Sequence, residues 1–516
     1  MKWFSLIIFL LGIQQFILAG KSGNELDVNY YEINLAIEPG DSSIRGEVYC
    51  QYTLLDHTDS VIFHLFPELI LDSVKTKDRT VRAEHVEKEI IVFEGGKKGE
   101  QKSLVFFYHG KPIVAKHAPW DGGLVWDKDS LGRPFVGVAC EGLGASSWWP
   151  NHDQLWDKAD SMSFNFRVAK PLQVVCNGVL ENVKDLGDTR VFSWKVNNPI
   201  INYNATFYVG NFSTIEDTVE GLGGTLPLTY YVLDYNATRA QSHFAQVKPM
   251  LATYEKLFGP YPFYEDGYKL VEAPYLGMEH QSAIAYGNAY QMGYRGRQIP
   301  EVNFDYIIIH ETGHEYWGNN LSMESLSDMW IHESFCTYTE VLYVEEMNGI
   351  EARDAYLRFC AANVAHTGAI IPEEPHQMGD GDMYHKGALM LHLLRQEIQN
   401  DSVWFHCLKQ LHSVFRHQTV STQTIIDEMN SLCQYDVGAF LLTYLKKADP
   451  PVLQVKKIRK RKYELVWTGV REGFSMHIYL KNGERLLVST TPLVIKGKIK
   501  KGEVLNSYRM FAIQYE

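Results

Sequence analysis

Residues 307–338 read IIIHETGHEYWGNNLSMESLSDMWIHESFCTY, and this segment fixes how the rest of the chain is read. His310 and His314 are four residues apart, so on a helix they project from one face, one turn above the other. Two imidazole nitrogens placed that way can bind a single tetrahedral metal ion. Glu311 lies beside them on the rim of the same face, and H-E-x-x-H on a helix is the pattern of two zinc ligands with a glutamate general base. The apolar run Tyr306-Ile307-Ile308-Ile309 suits a buried helix. The spacing predicts a helix over 302–318, a loop over 319–325 and a second helix over 326–347 carrying Glu333. Helices joined by so short a loop pack antiparallel, which turns Glu333 back toward the histidines. Two histidines, one glutamate and an open fourth position form the ligand set of a catalytic zinc. The expected cofactor is therefore one Zn2+ per chain, held by His310, His314 and Glu333. Zinc is preferred to cobalt or manganese from ligand type, not from spacing.

Length and composition bound what surrounds this site. A chain of 516 residues exceeds one hydrophobic core and implies two to four domains. The net charge of −13 argues against general nucleic-acid binding, which needs a basic surface. Residues 1–20 read as a secretory signal peptide. Lys2 gives a positive start, an apolar stretch follows that Gln14 and Gln15 interrupt, and Leu18-Ala19-Gly20 supplies small residues for cleavage. No later segment is long and apolar enough to span a bilayer, which takes about 20 residues, so the expectation is an exported protein, periplasmic or extracellular, with no membrane span once the signal is removed. The seven cysteines show no paired spacing and read as buried free thiols. Oligomeric state is not legible.

From Asp27 to about Phe212 the chain alternates apolar and polar residues, as in Glu47-Val48-Tyr49-Cys50-Gln51-Tyr52 and Ser161-Met162-Ser163-Phe164-Asn165-Phe166. Such runs with Gly and Asp turns between them predict antiparallel sheets. A glycine-rich, aromatic loop, Ala139 to Pro150, interrupts them. Arg239 to Phe258 has helical spacing and stops at Gly259-Pro260. The chain is then mainly helical to about Lys446, apart from a short β passage near Lys269-Leu270-Val271-Glu272. After Asp449-Pro450-Pro451 strands return. The basic cluster Lys456, Lys457, Arg459, Lys460, Arg461 and Lys462 reads as a solvated edge strand guarded by lysines.

H-E-x-x-H followed after eighteen residues by Glu is the ligand spacing of the gluzincin aminopeptidases, and the chain resembles that aminopeptidase N family, which includes leukotriene hydrolase. Trp317-Gly318-Asn319 and Asp328-Met329-Trp330-Ile331 are similar to the family's flanking segments. Gly277-Met278-Glu279 resembles its G-A-M-E-N exopeptidase motif, and Tyr384-His385-Lys386-Gly387-Ala388 its Y-x-K-G-A segment. The resemblance implies a multidomain α+β architecture. It comprises an N-terminal antiparallel β-sheet domain (21–212), a thermolysin-like, mainly helical catalytic domain (213–446) and a small C-terminal β domain (447–516). The family's large helical C-terminal domain has no counterpart here, and neither does any arginine placed there to hold a substrate carboxylate.

The resemblance also implies roles. Glu279 and Glu141 would bind the free α-ammonium of a peptide, a charge-assisted task for carboxylates. Gly277 and Met278 would make backbone and side-chain-pocket contacts, and Tyr384 would hydrogen-bond the oxyanion. Thr337 sits where thermolysin-like relatives place an aspartate behind a zinc ligand. Several positions depart from the pattern: Leu276 replaces the first glycine of the exopeptidase motif, His280 its asparagine, and Ala139 the glutamine two residues before Glu141. His332-Glu333-Ser334 replaces Asn-Glu-Gly. His280 is expected either to substitute for asparagine as a hydrogen-bonding group or to contact substrate. The implied function is a zinc aminopeptidase acting on peptides with a free N-terminus. Alternatives are an endopeptidase or an ester or epoxide hydrolase on the same metal site, and a non-catalytic peptide-binding protein.

Overall fold

A computed structural model describes residues 26–297, 303–374, 376–497, 499–506 and 508–516; the signal segment lies outside them. The architecture is multidomain α+β, with N-terminal sheets, a helical catalytic region and a small C-terminal β domain.

The N-terminal part is built on an eight-stranded sheet in the order Val179–Asp185, Thr189–Val196, Ser161–Ala169, Leu26–Glu38, Ser43–Leu54, Gln101–Gly110, Leu69–Lys75, Thr80–Val81. The alternating sequence puts one face in the core: Ile33, Leu35 and Ile37 are buried while the residues between them are partly exposed. An extra residue at Asn29 breaks the register between Val28 and Tyr30, so the buried set passes from Leu26 and Val28 to Tyr31, Ile33 and Leu35; one inserted residue switches the faces of a strand. One pair departs from the antiparallel expectation. Leu26–Glu38 and Ser161–Ala169 run parallel, from Tyr30↔Ser161 to Ala36↔Arg167. These strands are far apart in sequence, so no hairpin dictates their direction. A second sheet, ordered Gln173–Cys176, Phe207–Gly210, Pro134–Ala139, Gly123–Lys128, leads into the loop after Ala139, where Trp148 and Trp149 are buried.

The catalytic region opens with a five-stranded sheet ordered Phe212–Gly221, Gly224–Leu233, Tyr268–Glu272, Ile284–Tyr286, Gly277–Met278. The helix expected over 239–258 is two helices, α1 (Ala237–His243) and α2 (Val247–Phe258), with a 3-10 turn between them. Pro249 has no N–H to give an earlier turn and is tolerated only in the first turn of a new helix. The two helices of the metal segment are shorter at their starts than their spacing suggests. Helix α3 (Tyr306–Tyr316) begins where the Asp305 side chain accepts the Ile307 N–H at 2.9 Å. Helix α4 (Trp330–Asn348) begins after a 3-10 turn capped by Ser325. Between them, within the expected loop, Ser322–Met323 pairs in parallel with Thr419–Val420. The helices α5 (Ile350–Asn363), α6 (His385–Ile398), α7 (Asp401–Val414), α8 (Thr422–Leu432) and α9 (Val437–Leu445) complete the region. No described helix is long and apolar enough to cross a membrane.

The C-terminal residues form two small sheets, ordered Leu493–Lys496, Lys462–Thr468, Val452–Arg459, Ala512–Tyr515 and Arg485–Ser489, Ser475–Leu480, Val504–Leu505. The basic cluster is solvated but not on an edge strand. Val452–Arg459 and Lys462–Thr468 are both interior strands, and the cluster is the tip of their hairpin, where Arg461 adopts φ 57°. All seven cysteines are buried and unpaired.

Side chains tie these parts together. The half-buried Lys158, from the N-terminal part, donates through Nζ to the carbonyls of Asn319 and Asn320 just after α3, at 2.7 and 3.1 Å. Asn177 Nδ2 donates to Gln281 O at 2.7 Å. Helices α4 and α6 approach so closely that a Cβ on Gly387 would overlap Ser334 Oγ, which itself donates to Met383 O at 2.7 Å. Gly387→Ala should therefore lower stability by about 1–3 kcal/mol, the usual range for overpacking, read as a lower melting temperature; an unchanged melt would show that this helix contact yields.

Candidate metal centre and active site

Helix α3 delivers His310, Glu311 and His314 to one cleft and α4 delivers Glu333. His310 Nε2 and His314 Nε2 are 3.2 Å apart, and Glu333 Oε2 lies 3.4 Å from the first and 3.7 Å from the second. A tetrahedral zinc with bonds of about 2.1 Å separates its donors by about 3.4 Å, so the three atoms have the spacing of one coordination sphere. The hydrogen bonds around them agree. His310 Nδ1–H donates to Glu340 Oε1 at 2.6 Å and His314 Nδ1–H to Trp317 O at 3.0 Å. Because both Nδ1 partners are acceptors, each Nε2 turns a lone pair toward the other, and two lone pairs cannot bond each other. Glu333 Oε2 is buried with no hydrogen-bond partner among the described residues. A dication satisfies all three donors.

Glu340 is the residue that sequence reading missed. It was legible: seven residues after Glu333, it returns to nearly the same face of α4 two turns on. Thr337, the position expected behind the metal, is buried and its Oγ1 has no partner among the described residues. Glu340 takes the role, held in turn by the Tyr356 hydroxyl. Such partners fix the tautomer and orientation of a metal-binding histidine.

Glu311 faces the same cleft, 8% exposed. Burial pushes its carboxyl up to about 8, and the carboxylates of Glu279, Glu333 and Glu340 add to the effect. A Cβ at position 277 would stand 2.5 Å from Glu311 Oε1, so Gly277 is what gives this carboxylate room. Gly277–Met278 is the edge strand of the catalytic sheet, paired only on its inner side with Ile284–Tyr286.

Glu279 follows that edge. Its Oε1 accepts the Tyr203 hydroxyl at 3.1 Å, and its carbonyl accepts Asn319 Nδ2 at 2.7 Å. Asn319 Nδ2 also donates to Glu315 Oε1 at 2.9 Å, and Glu315 accepts the Ser282 N–H and the Tyr261 hydroxyl at 2.9 and 2.6 Å. The Asn of the Trp-Gly-Asn segment thus pins the Glu279 backbone to α3. Glu141, reaching over from the aromatic loop of the N-terminal part, places a carboxylate oxygen within 4.8 Å of one on Glu279 and of a His332 ring nitrogen. Burial raises the Glu141 carboxyl well above the usual range, and Glu279 raises it further. Tyr203 left no sequence signal, because it meets Glu279 only through folding.

Tyr384 stands over the metal donors, its ring 6.2 Å from that of His310 and nearly parallel to it. Burial, then Glu333, keeps its phenol protonated far above neutrality. The cleft is a cavity of about 740 Å3 that takes in Glu141, Gly277, Met278, Glu279, Glu311 and Tyr384 with the three metal donors, and apolar wall from Leu276, Phe359 and Met383. His280 is not part of it. Its ring is fully buried, Nδ1 donating at 2.7 Å to the Tyr208 hydroxyl, which passes its own proton to Ala283 O at 2.8 Å. The expectation of a substrate contact at His280 is corrected: the residue is a structural hydrogen-bonding group, because its ring is taken up by the Tyr208 hydroxyl and lies outside the cleft lining.

Residues 243–444 match the family model described as the Peptidase family M1 domain. Over 91% of its length the chain is 22% identical to a probable aminopeptidase 2 of Sulfurisphaera tokodaii, covering 59% of that protein. It is 24% identical to leucine aminopeptidase 2 of Vanderwaltozyma polyspora over 63% of its length, covering 48% of that relative. The chain therefore spans between about half and three fifths of these relatives. An M1 zinc metallopeptidase from Deinococcus radiodurans superposes with a TM-score of 0.71 at 19% identity, covering 83% of this chain and 95% of that one. A two-domain M1 zinc metallopeptidase mutant bound to L-tryptophan gives a TM-score of 0.72 at 19% identity, with 83% and 96% covered. The chain shares their fold.

Replacing Glu340 by Gln should weaken zinc retention about 10- to 100-fold, the range for losing such a supporting partner, measured by competition with a chromogenic chelator. Unchanged affinity would remove Glu340 from the metal site.

Proposed function

We propose that this protein is a zinc-dependent aminopeptidase that hydrolyses the first peptide bond of peptides with a free N-terminus. The observation that carries the reading is the pair Glu141 and Glu279, two carboxylates from two domains within 4.8 Å of each other beside the His310–His314–Glu333 donors. Two buried carboxylates at that distance repel unless a cation lies between them, and the α-ammonium of a peptide is such a cation. Its capture there sets the first carbonyl over the metal donors.

Zinc bound at His310, His314 and Glu333 would polarise that carbonyl and acidify a water. Glu311 takes the proton of the attacking water and returns it to the leaving amine; its raised affinity for a proton suits it to both steps. Tyr384 donates its hydroxyl proton as a hydrogen bond to the carbonyl oxygen as negative charge develops, a stabilisation worth about 3 kcal/mol when such a donor is removed. The open side of the Gly277–Met278 edge offers backbone groups to an extended peptide. The leader-like residues 1–20 support export, periplasmic or extracellular.

Aminoacyl anilides with free and acetylated amines test the reading. Free-amine substrates should be cleaved at least about 100-fold faster, since truncating one partner of a buried charge pair costs several kcal/mol. A chelator should abolish turnover and zinc restore it. Equal rates on blocked substrates would overturn the exopeptidase assignment. Glu311→Gln should keep its zinc yet lower kcat by about 10²–10⁴, the span of general acid–base catalysis; retained turnover would refute its role.

A further inference from the structure

His332 precedes the metal donor Glu333 and stands where the aminopeptidase N pattern has asparagine. Its ring is fully buried, and Nε2 accepts the Met323 N–H at 2.8 Å. An imidazole that accepts at Nε2 carries its proton on Nδ1, and that Nδ1–H has no partner among the described residues. A His332 ring nitrogen lies within 4.8 Å of carboxylate oxygens of both Glu141 and Glu279; Nε2 is engaged by the Met323 N–H, and Nδ1 is the donor left without a partner among the described residues. Glu141 Oε1 is also buried without a hydrogen-bond donor. A lone donor and a lone acceptor thus share one dry corner of the cleft, where each unmade hydrogen bond is costly.

The three groups also have metal-donor spacing, but ligation through Nδ1 would move the imidazole proton to Nε2 and drive it against the Met323 N–H. The corner is therefore a carboxylate pair with a fixed donor behind it. Resting on the aminopeptidase reading, we propose that His332 is a positioning residue of the amine site, its Nδ1–H donating to Glu141 and fixing that carboxylate toward the primary α-ammonium of the peptide. Tyr203 does the same for Glu279, through its hydroxyl. Each carboxylate then keeps its remaining lone pairs for the ammonium, and neither can rotate away to escape the other.

The test uses zinc-loaded protein and two ligands, leucine hydroxamate and its des-amino counterpart 4-methylpentanoic hydroxamate, with dissociation constants from calorimetry. Their ratio isolates the grip on the amine from the grip on the metal. Wild-type protein should favour the amino ligand strongly. In His332→Phe, which keeps ring size but loses the donor, the ratio should fall about tenfold or more, the size expected of one hydrogen bond to a charged group. His332→Asn, whose amide can donate, should restore most of the ratio. An unchanged ratio in His332→Phe overturns the proposal. Loss of zinc from both variants would also overturn it, assigning His332 to holding Glu333 in place. Should the wild type bind both hydroxamates equally, the amine site itself falls, a failure distinct from that of His332.

Discussion

Four carboxyl groups, Glu141, Glu279, Glu311 and Glu333, converge on one buried cleft, and their mutual repulsion is relieved either by cations or by protons, as the raised Glu141 and Glu311 carboxyls show. That electrostatic constraint organises everything around it. The histidine pair and Glu333 form a socket for a dication. On the proposed reading Glu141 and Glu279 form a socket for a monocation. Neutral donors hold Glu279 in place: the Tyr203 hydroxyl on its carboxylate and the Asn319 amide on its main-chain carbonyl. The acidic crowding costs stability in the empty protein and becomes binding energy when cations arrive. On this reading it is also the source of selectivity, because a peptide without a charged amine leaves half of the repulsion in place.

The fold supplies the rigidity that such crowding needs. Helices α3 and α4 carry the metal donors at fixed helical positions, and Glu340 and the Trp317 carbonyl lock the two imidazoles from behind. The amine socket is assembled differently. One carboxylate comes from an edge strand pinned to α3 through Asn319, the other from a loop of the N-terminal sheets. Lys158 and Asn177 hold those sheets against the catalytic region through main-chain carbonyls.

What the sequence discloses follows from how local each feature is. His310, His314 and Glu333 were legible because helical periodicity converts spacing into direction, and the extra residue at Asn29 lies in a strand whose alternation was plain even though its phase change was not. Glu340 obeys the same helical arithmetic, one heptad after Glu333, and was legible on that ground. Glu141 was reached only through a family resemblance, since nothing near it in the chain announces a partner more than a hundred residues away. Tyr203 was beyond reach, because its hydrogen bond to Glu279 spans 76 residues; the tautomer of His332 rests on a local bond to Met323, nine residues away, whose geometry spacing alone does not give. The parallel pairing of Leu26–Glu38 with Ser161–Ala169 escaped for the same reason: alternation reports which face of a strand is buried but not which way its neighbour runs.

The loop that carries Glu141 has a consequence for how such a protein comes into being. Both helices that carry the metal donors lie in one continuous stretch of the chain, 306–348. The restraint on which bond is cut arrives from elsewhere, with the docking of the N-terminal sheets. If Glu141 and Glu279 hold the amine as proposed, selectivity depends on that contact between the two parts of the chain. The half-buried Lys158 amine closes the seam beside the metal helix, and its bonds to the Asn319 and Asn320 carbonyls join residues more than 150 positions apart.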